Sequence, residues 1–98
     1  MWDHLARLHS GFLADIDEQT LIMKIAEEFG EAVQAYIGVT GQNPRKGVYG
    51  TRDDVQKELA DVIVTAGIAM IGIAGGNADE ARAQLEKRLD VVTERVGV

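Results

Sequence analysis

The chain has 98 residues, a formal net charge of −6, 46% hydrophobic residues, one proline and no cysteine. A chain of this length supports one modest core, so a single domain over residues 1–98 is expected, and its apolar share excludes a disordered chain. The acidic balance argues against nucleic-acid backbones and anionic membranes as partners, and the lack of cysteine excludes disulfides and thiolate metal sites.

The first predicted helix runs from Trp2 to Leu13, with Leu5, Leu8, Phe12 and Leu13 at helical spacing and Gly11 weakening its end. Asp3, His4, Arg7 and His9 interrupt its apolar positions, unlike the apolar run of a secretion signal. His4 and His9 share no helical face and read as surface or packing residues. The second helix is predicted over Glu18 to Ile37. Ile22, Ile25, Phe29, Ala32, Val33 and Tyr36 recur at three- and four-residue steps, forming a stripe about 100° wide. Asp17 can cap its start and Gly38 can serve near its end.

Residues Gly38 to Gly50, GVTGQNPRKGVYG, contain four glycines and the only proline, and are predicted to form a loop. The third helix follows Thr51, where Thr51 and Asp54 resemble a capping box. It continues through Val55, Leu59, Val62, Ile63, Ala66 and Met70, and beyond Asp61 it is apolar on nearly every side. A helix of that kind is buried all round, which in so short a chain implies a partner subunit over one face. The run from Val62 to Gly76 falls short of the roughly 20 apolar residues of a membrane span, so a cytoplasmic protein is expected. Gly75 and Gly76 end this helix. Asn77 with Glu80 opens the fourth, whose stripe is Ala81, Leu85, Leu89, Val92 and Val96. Two-residue alternation is absent, and the predicted class is all-α with four helices.

Chemistry concentrates in the middle helices. Lys24, Glu27, Glu28 and Glu31 lie away from the apolar stripe of the second helix. Glu28 and Glu31 stand three apart, a like-charge spacing that costs a few tenths of a kcal/mol. The third helix repeats the spacing with Glu58 and Asp61. Antiparallel packing would bring the two acidic pairs together, and converging carboxylates call for a hard cation such as Mg²⁺ or Mn²⁺. Each helix alone equally suits a solvated acidic face.

These residues resemble the MazG-like all-α nucleoside triphosphate pyrophosphohydrolases. That family carries Glu-Glu-x-x-Glu on one helix and Glu-x-x-Asp on the next; here the segments are Glu27-Glu28-Phe29-Gly30-Glu31 and Glu58-Leu59-Ala60-Asp61. The intervening 26 residues, 32 to 57, suit a loop-bearing member, and Lys24 and the continuation Val62-Ile63 also fit. The likeness covers about Leu21 to Ala74; the fourth helix matches only in general character.

The resemblance implies a four-helix bundle assembled as a dimer or a dimer of dimers. It also implies cleavage of a nucleoside triphosphate between its α and β phosphorus atoms, giving the monophosphate and pyrophosphate. By the same likeness, Glu28, Glu31, Glu58 and Asp61 would bind Mg²⁺, or Mn²⁺. Glu27 can orient or deprotonate the attacking water with Glu28, or remain a solvated glutamate.

Lys24 can contact a phosphate or relieve repulsion at Glu28. Arg45, Lys46 and Arg52, with Asn43 nearby, can clamp a triphosphate or form a solvated basic loop. Trp2, Phe12 and Tyr36 can stack on a base, although Tyr36 reads first as core. Lys87, Arg88 and Arg95 of the fourth helix read first as surface charge. The P-loop spacing is absent. A dimeric dUTPase, a phosphoribosyl-ATP pyrophosphohydrolase and a non-catalytic helical interaction module are the alternatives.

Overall fold

The computed structural model describes all 98 residues and is entirely helical: α1 Trp2–Leu8, a π-helical turn His9–Leu13, α2 Glu18–Thr40, α3 Arg52–Ile73 and α4 Ala78–Val96, with no strand. The first predicted helix is therefore α-helical only to Leu8 and widens into a π turn around Gly11. No single helix is long and apolar enough to cross a membrane.

The helix ends follow local chemistry. Thr51 Oγ1 accepts from the Asp54 N–H at 3.2 Å while Asp54 Oδ2 accepts from the Thr51 N–H at 2.8 Å, the reciprocal capping box. Asn77 Oδ1 accepts from the Glu80 N–H at 3.0 Å and starts α4.

The second helix runs to Thr40, past the expected stop at Ile37. Gly38 stays helical, and Gly41 takes the left-handed conformation (φ 67°) that ends the helix. The Gly41 and Gln42 N–H groups then bond the Ile37 carbonyl at 3.0 and 3.3 Å. The same device, with Gly75 left-handed and the Gly76 N–H on the Ile71 carbonyl at 2.9 Å, ends α3.

The chain forms two compact units, Met1–Glu18 with Gly67–Val98 and Gln19–Ala66, so α3 contributes to both. In the first unit Leu5, Ile68, Ala69, Ile71 and Ala81 are buried. Gly67 lies beneath Leu5, where a Cβ would come within 2.6 Å of Leu5 Cδ1. Burying each large aliphatic side chain contributes roughly 1.5–3 kcal/mol.

In the second unit only Leu21 and Ala32 are buried hydrophobic residues. Ile22, Phe29, Val33 and Tyr36 of the α2 stripe are exposed, as are Leu59 and Ile63 of α3. The predicted stripe is present as a stripe, but this chain does not cover it. All-round burial of α3 holds only around Gly67–Ile71; Ile63 and Ile73 each retain 58% exposure.

Candidate metal centre

The site lies within the second unit. Glu31 of α2 meets Glu58 of α3, whereas Tyr36, further along α2, shares a small cavity with Arg52 and Val55 near the start of α3. Partners descend along α3 as residues ascend along α2, so the two helices run antiparallel. That arrangement brings the acidic pairs of the two sequence segments to one place.

One carboxylate oxygen from each of Glu28, Glu31 and Glu58 lies within 4.8 Å of the other two. Asp61 is not part of this triplet, yet its charge is felt by both Glu28 and Glu58. Glu28 and Glu58 are half-buried, whereas Glu31 is exposed. Loss of water is the chief reason that the Glu28 carboxyl titrates above its ordinary range. The negative charges of Glu31 and Asp61 and a side-chain hydrogen bond with Glu31 add to it, and only Lys24 opposes. The Glu58 carboxyl is raised in the same way, by loss of water first, then the charges of Glu31 and Asp61, then a side-chain hydrogen bond with Glu31 and the charge of Asp54.

Glu58 Oε2 is buried and accepts no hydrogen bond. Buried polar atoms normally have partners, and a carboxylate oxygen without one is costly. Three carboxylate oxygens so close, with a buried unpartnered oxygen on one of the same residues, are a donor set that Mg²⁺ or Mn²⁺ takes. The residues present fit a divalent cation.

Glu27 stands beside the triplet and, with Glu31, Glu58, Gln34 and Tyr49, lines an open cleft of about 600 Å³. Lys24, half-buried one turn before Glu28, acts on the Glu28 charge, in keeping with the relief of repulsion. Arg45 and Lys46 are exposed on the loop and do not line this cleft; the Arg45 N–H is held by Asn43 Oδ1 at 3.2 Å. Arg52 lines the cavity of about 270 Å³ with Tyr36, Gln56 and Leu59. Tyr36 is thus 47% exposed beside Arg52, where its helical spacing predicts a core position.

Tyr49 was not legible as a site residue. Its N–H donates to the Gly38 carbonyl at 2.8 Å, and a Cβ on Gly38 would come within 2.6 Å of the Tyr49 ring and 2.8 Å of its carbonyl. The glycine therefore seats the tyrosine, which holds the end of the loop against α2 and forms a wall of the acidic cleft. The one signal in the sequence was an aromatic residue placed between glycines.

A scan against protein-family models matches none, and neither a curated protein nor a solved structure matches the chain.

Proposed function

We propose that this chain is a divalent-metal-dependent nucleoside triphosphate pyrophosphohydrolase that converts a nucleoside triphosphate and water to the monophosphate and pyrophosphate. The observation that carries this reading is the triplet Glu28, Glu31 and Glu58, with its oxygens within 4.8 Å and Glu58 Oε2 unpartnered. The motif resemblance supplies the reaction class, and the cleft beside the triplet supplies the space.

Glu28, Glu31 and Glu58 would hold Mg²⁺ or Mn²⁺, with Asp61 adding charge at the same place. When bound, such an ion neutralises phosphate charge and makes a bound water more acidic. Glu27 lines the cleft beside the triplet and would take a proton from the attacking water. Lys24 opposes the rise at Glu28 and so favours the charged carboxylate that a cation needs.

The uncovered apolar residues support a second part of the proposal, a homodimer or dimer of dimers. Phe29, Val33, Tyr36 and Leu59 are exposed on neighbouring positions of α2 and α3, and pairing with a second copy would remove them from water. The proposed place of action is the cytoplasm.

The test is pyrophosphate release from a panel of nucleoside triphosphates with Mg²⁺. The expected result is equimolar monophosphate and pyrophosphate from at least one of them, abolished by chelator. Turnover on none, or orthophosphate as the primary product, would contradict the reaction class.

A further inference from the structure

Two glycines interrupt the body of α2, and they differ in kind. Gly38 has a reason within the chain, since any side chain there would collide with Tyr49. Gly30 has none: a Cβ at this position would meet nothing within 4 Å. A glycine in mid-helix is less stable than alanine because it frees the unfolded backbone and exposes the helix. Gly30 bears that disadvantage while facing the open cleft that Glu27, Glu31 and Glu58 border.

Positions 27, 30, 31, 34, 35 and 38 follow three- and four-residue steps, so they form one continuous face of α2. The face begins at the acids, passes over Gly30, Gln34 and Ala35, and ends at Gly38 under Tyr49. Gly38 lies seven residues beyond Glu31, about 10 Å along the axis at 1.5 Å per residue. The Tyr49 ring is seated on Gly38 along one edge, and the residue, 40% exposed, is among those that line the cleft.

We propose that this face is the nucleoside subsite, with Gly30 as the bare floor on which the sugar lies and Tyr49 as the wall on which the base stacks. The inference rests on the metal–nucleotide reading above and adds where the nucleoside sits. Tyr49 acts by contact with the base, and the Gly38 seat positions it. Gln34, between floor and wall, offers an amide that both donates and accepts.

The test uses the α,β-imido analogues of dATP, dGTP, dCTP and dUTP, with inorganic triphosphate as a probe that has phosphates but no nucleoside. Binding of each with Mg²⁺ is measured by calorimetry on the wild type, Gly30→Ala, Tyr49→Leu and Tyr49→Phe. The wild type is expected to bind inorganic triphosphate and to bind at least one analogue more tightly. Gly30→Ala is expected to melt higher than the wild type without ligand, to bind inorganic triphosphate unchanged and to lose tenfold or more for that analogue. Tyr49→Leu should lose about 5- to 140-fold for the analogue, the range for removing a stacked ring, and Tyr49→Phe should restore most of it. A Gly30→Ala protein that binds the analogue as the wild type does would overturn the subsite. So would a wild type that binds inorganic triphosphate as tightly as every analogue, although the metal centre would then stand. A wild type that binds neither Mg²⁺ nor inorganic triphosphate would remove the centre and the subsite together.

Discussion

The two halves of α3 show two ways in which one sequence can use a helix. From Gly67 to Ile71 the helix lies in a closed core, where Ile68, Ala69 and Ile71 are buried with Leu5 and Ala81. From Val55 to Ile63 the same helix keeps Leu59 and Ile63 exposed and turns Glu58 toward two more carboxylates. The first half is specified by packing. The second gives up burial and accepts like-charge repulsion, an arrangement that stands out where a ligand is to be bound.

Changes in the two halves should therefore fail differently. The largest effect expected is on turnover. Glu58→Gln keeps the shape, removes one ligand charge and lessens the repulsion around Glu28. Pyrophosphate release should fall below detection while the melting temperature without metal stays level or rises. Near-normal turnover, or a loss that accompanies unfolding, would break the comparison at its functional end. Glu28→Gln and Asp61→Asn should behave alike, with Asp61→Asn the milder because Asp61 is outside the triplet.

Ile71→Ala is the matching change in the packed half. Ile71 is fully buried, so truncation should cost about 2–5 kcal/mol in chemical denaturation. That is a large part of the roughly 5–15 kcal/mol typical of a small domain. A cost below about 1 kcal/mol would mean that the closed core does not hold as described.

Ile63→Ser falls on the exposed side of the other half. It should cost little in a lone chain and act instead on assembly. Light scattering at micromolar concentration should give at least twice the 10.6 kDa chain mass for the wild type and a lower average mass for the variant. A wild type of single-chain mass that is soluble and active would show that the apolar face has another use.

The smallest effect is a pH dependence. Glu28 and Glu58 titrate above their ordinary range in the folded chain, so folding takes up protons between the ordinary and the raised values. Their contribution without metal is therefore most favourable at the acid side of that window and is lost as pH rises through it. Metal binding needs the ionised carboxylates and reverses the trend. The Mg²⁺-induced rise in melting temperature should grow with pH across the window, with affinity rising by up to about tenfold per pH unit for each proton displaced. A rise that does not change with pH would separate the metal from these two acids.

Much of this was legible in the sequence because it is local. The capping residues Thr51, Asp54 and Asn77 announced helix starts, and the Glu-x-x-Glu and Glu-x-x-Asp spacings put carboxylates on common faces. Antiparallel packing of α2 and α3 then sufficed to bring Glu28, Glu31 and Glu58 together. What was not legible depends on contacts across the loop. Gly38 reads as a helix stop, but it stays helical beneath Tyr49, and the left-handed stop falls at Gly41. Apolar periodicity identified the stripe of Phe29, Val33 and Tyr36 without saying whether this chain covers it.

The central claim is that Glu28, Glu31 and Glu58 form a divalent-cation site, and melting with and without Mg²⁺ tests it most directly. At neutral pH, millimolar Mg²⁺ should raise the melting temperature of the wild type, because an ion bound only by the folded chain stabilises it. It should leave that of Glu58→Gln nearly unchanged. Equal shifts in the two proteins, or none in the wild type even with an α,β-imido nucleotide present, would contradict the account.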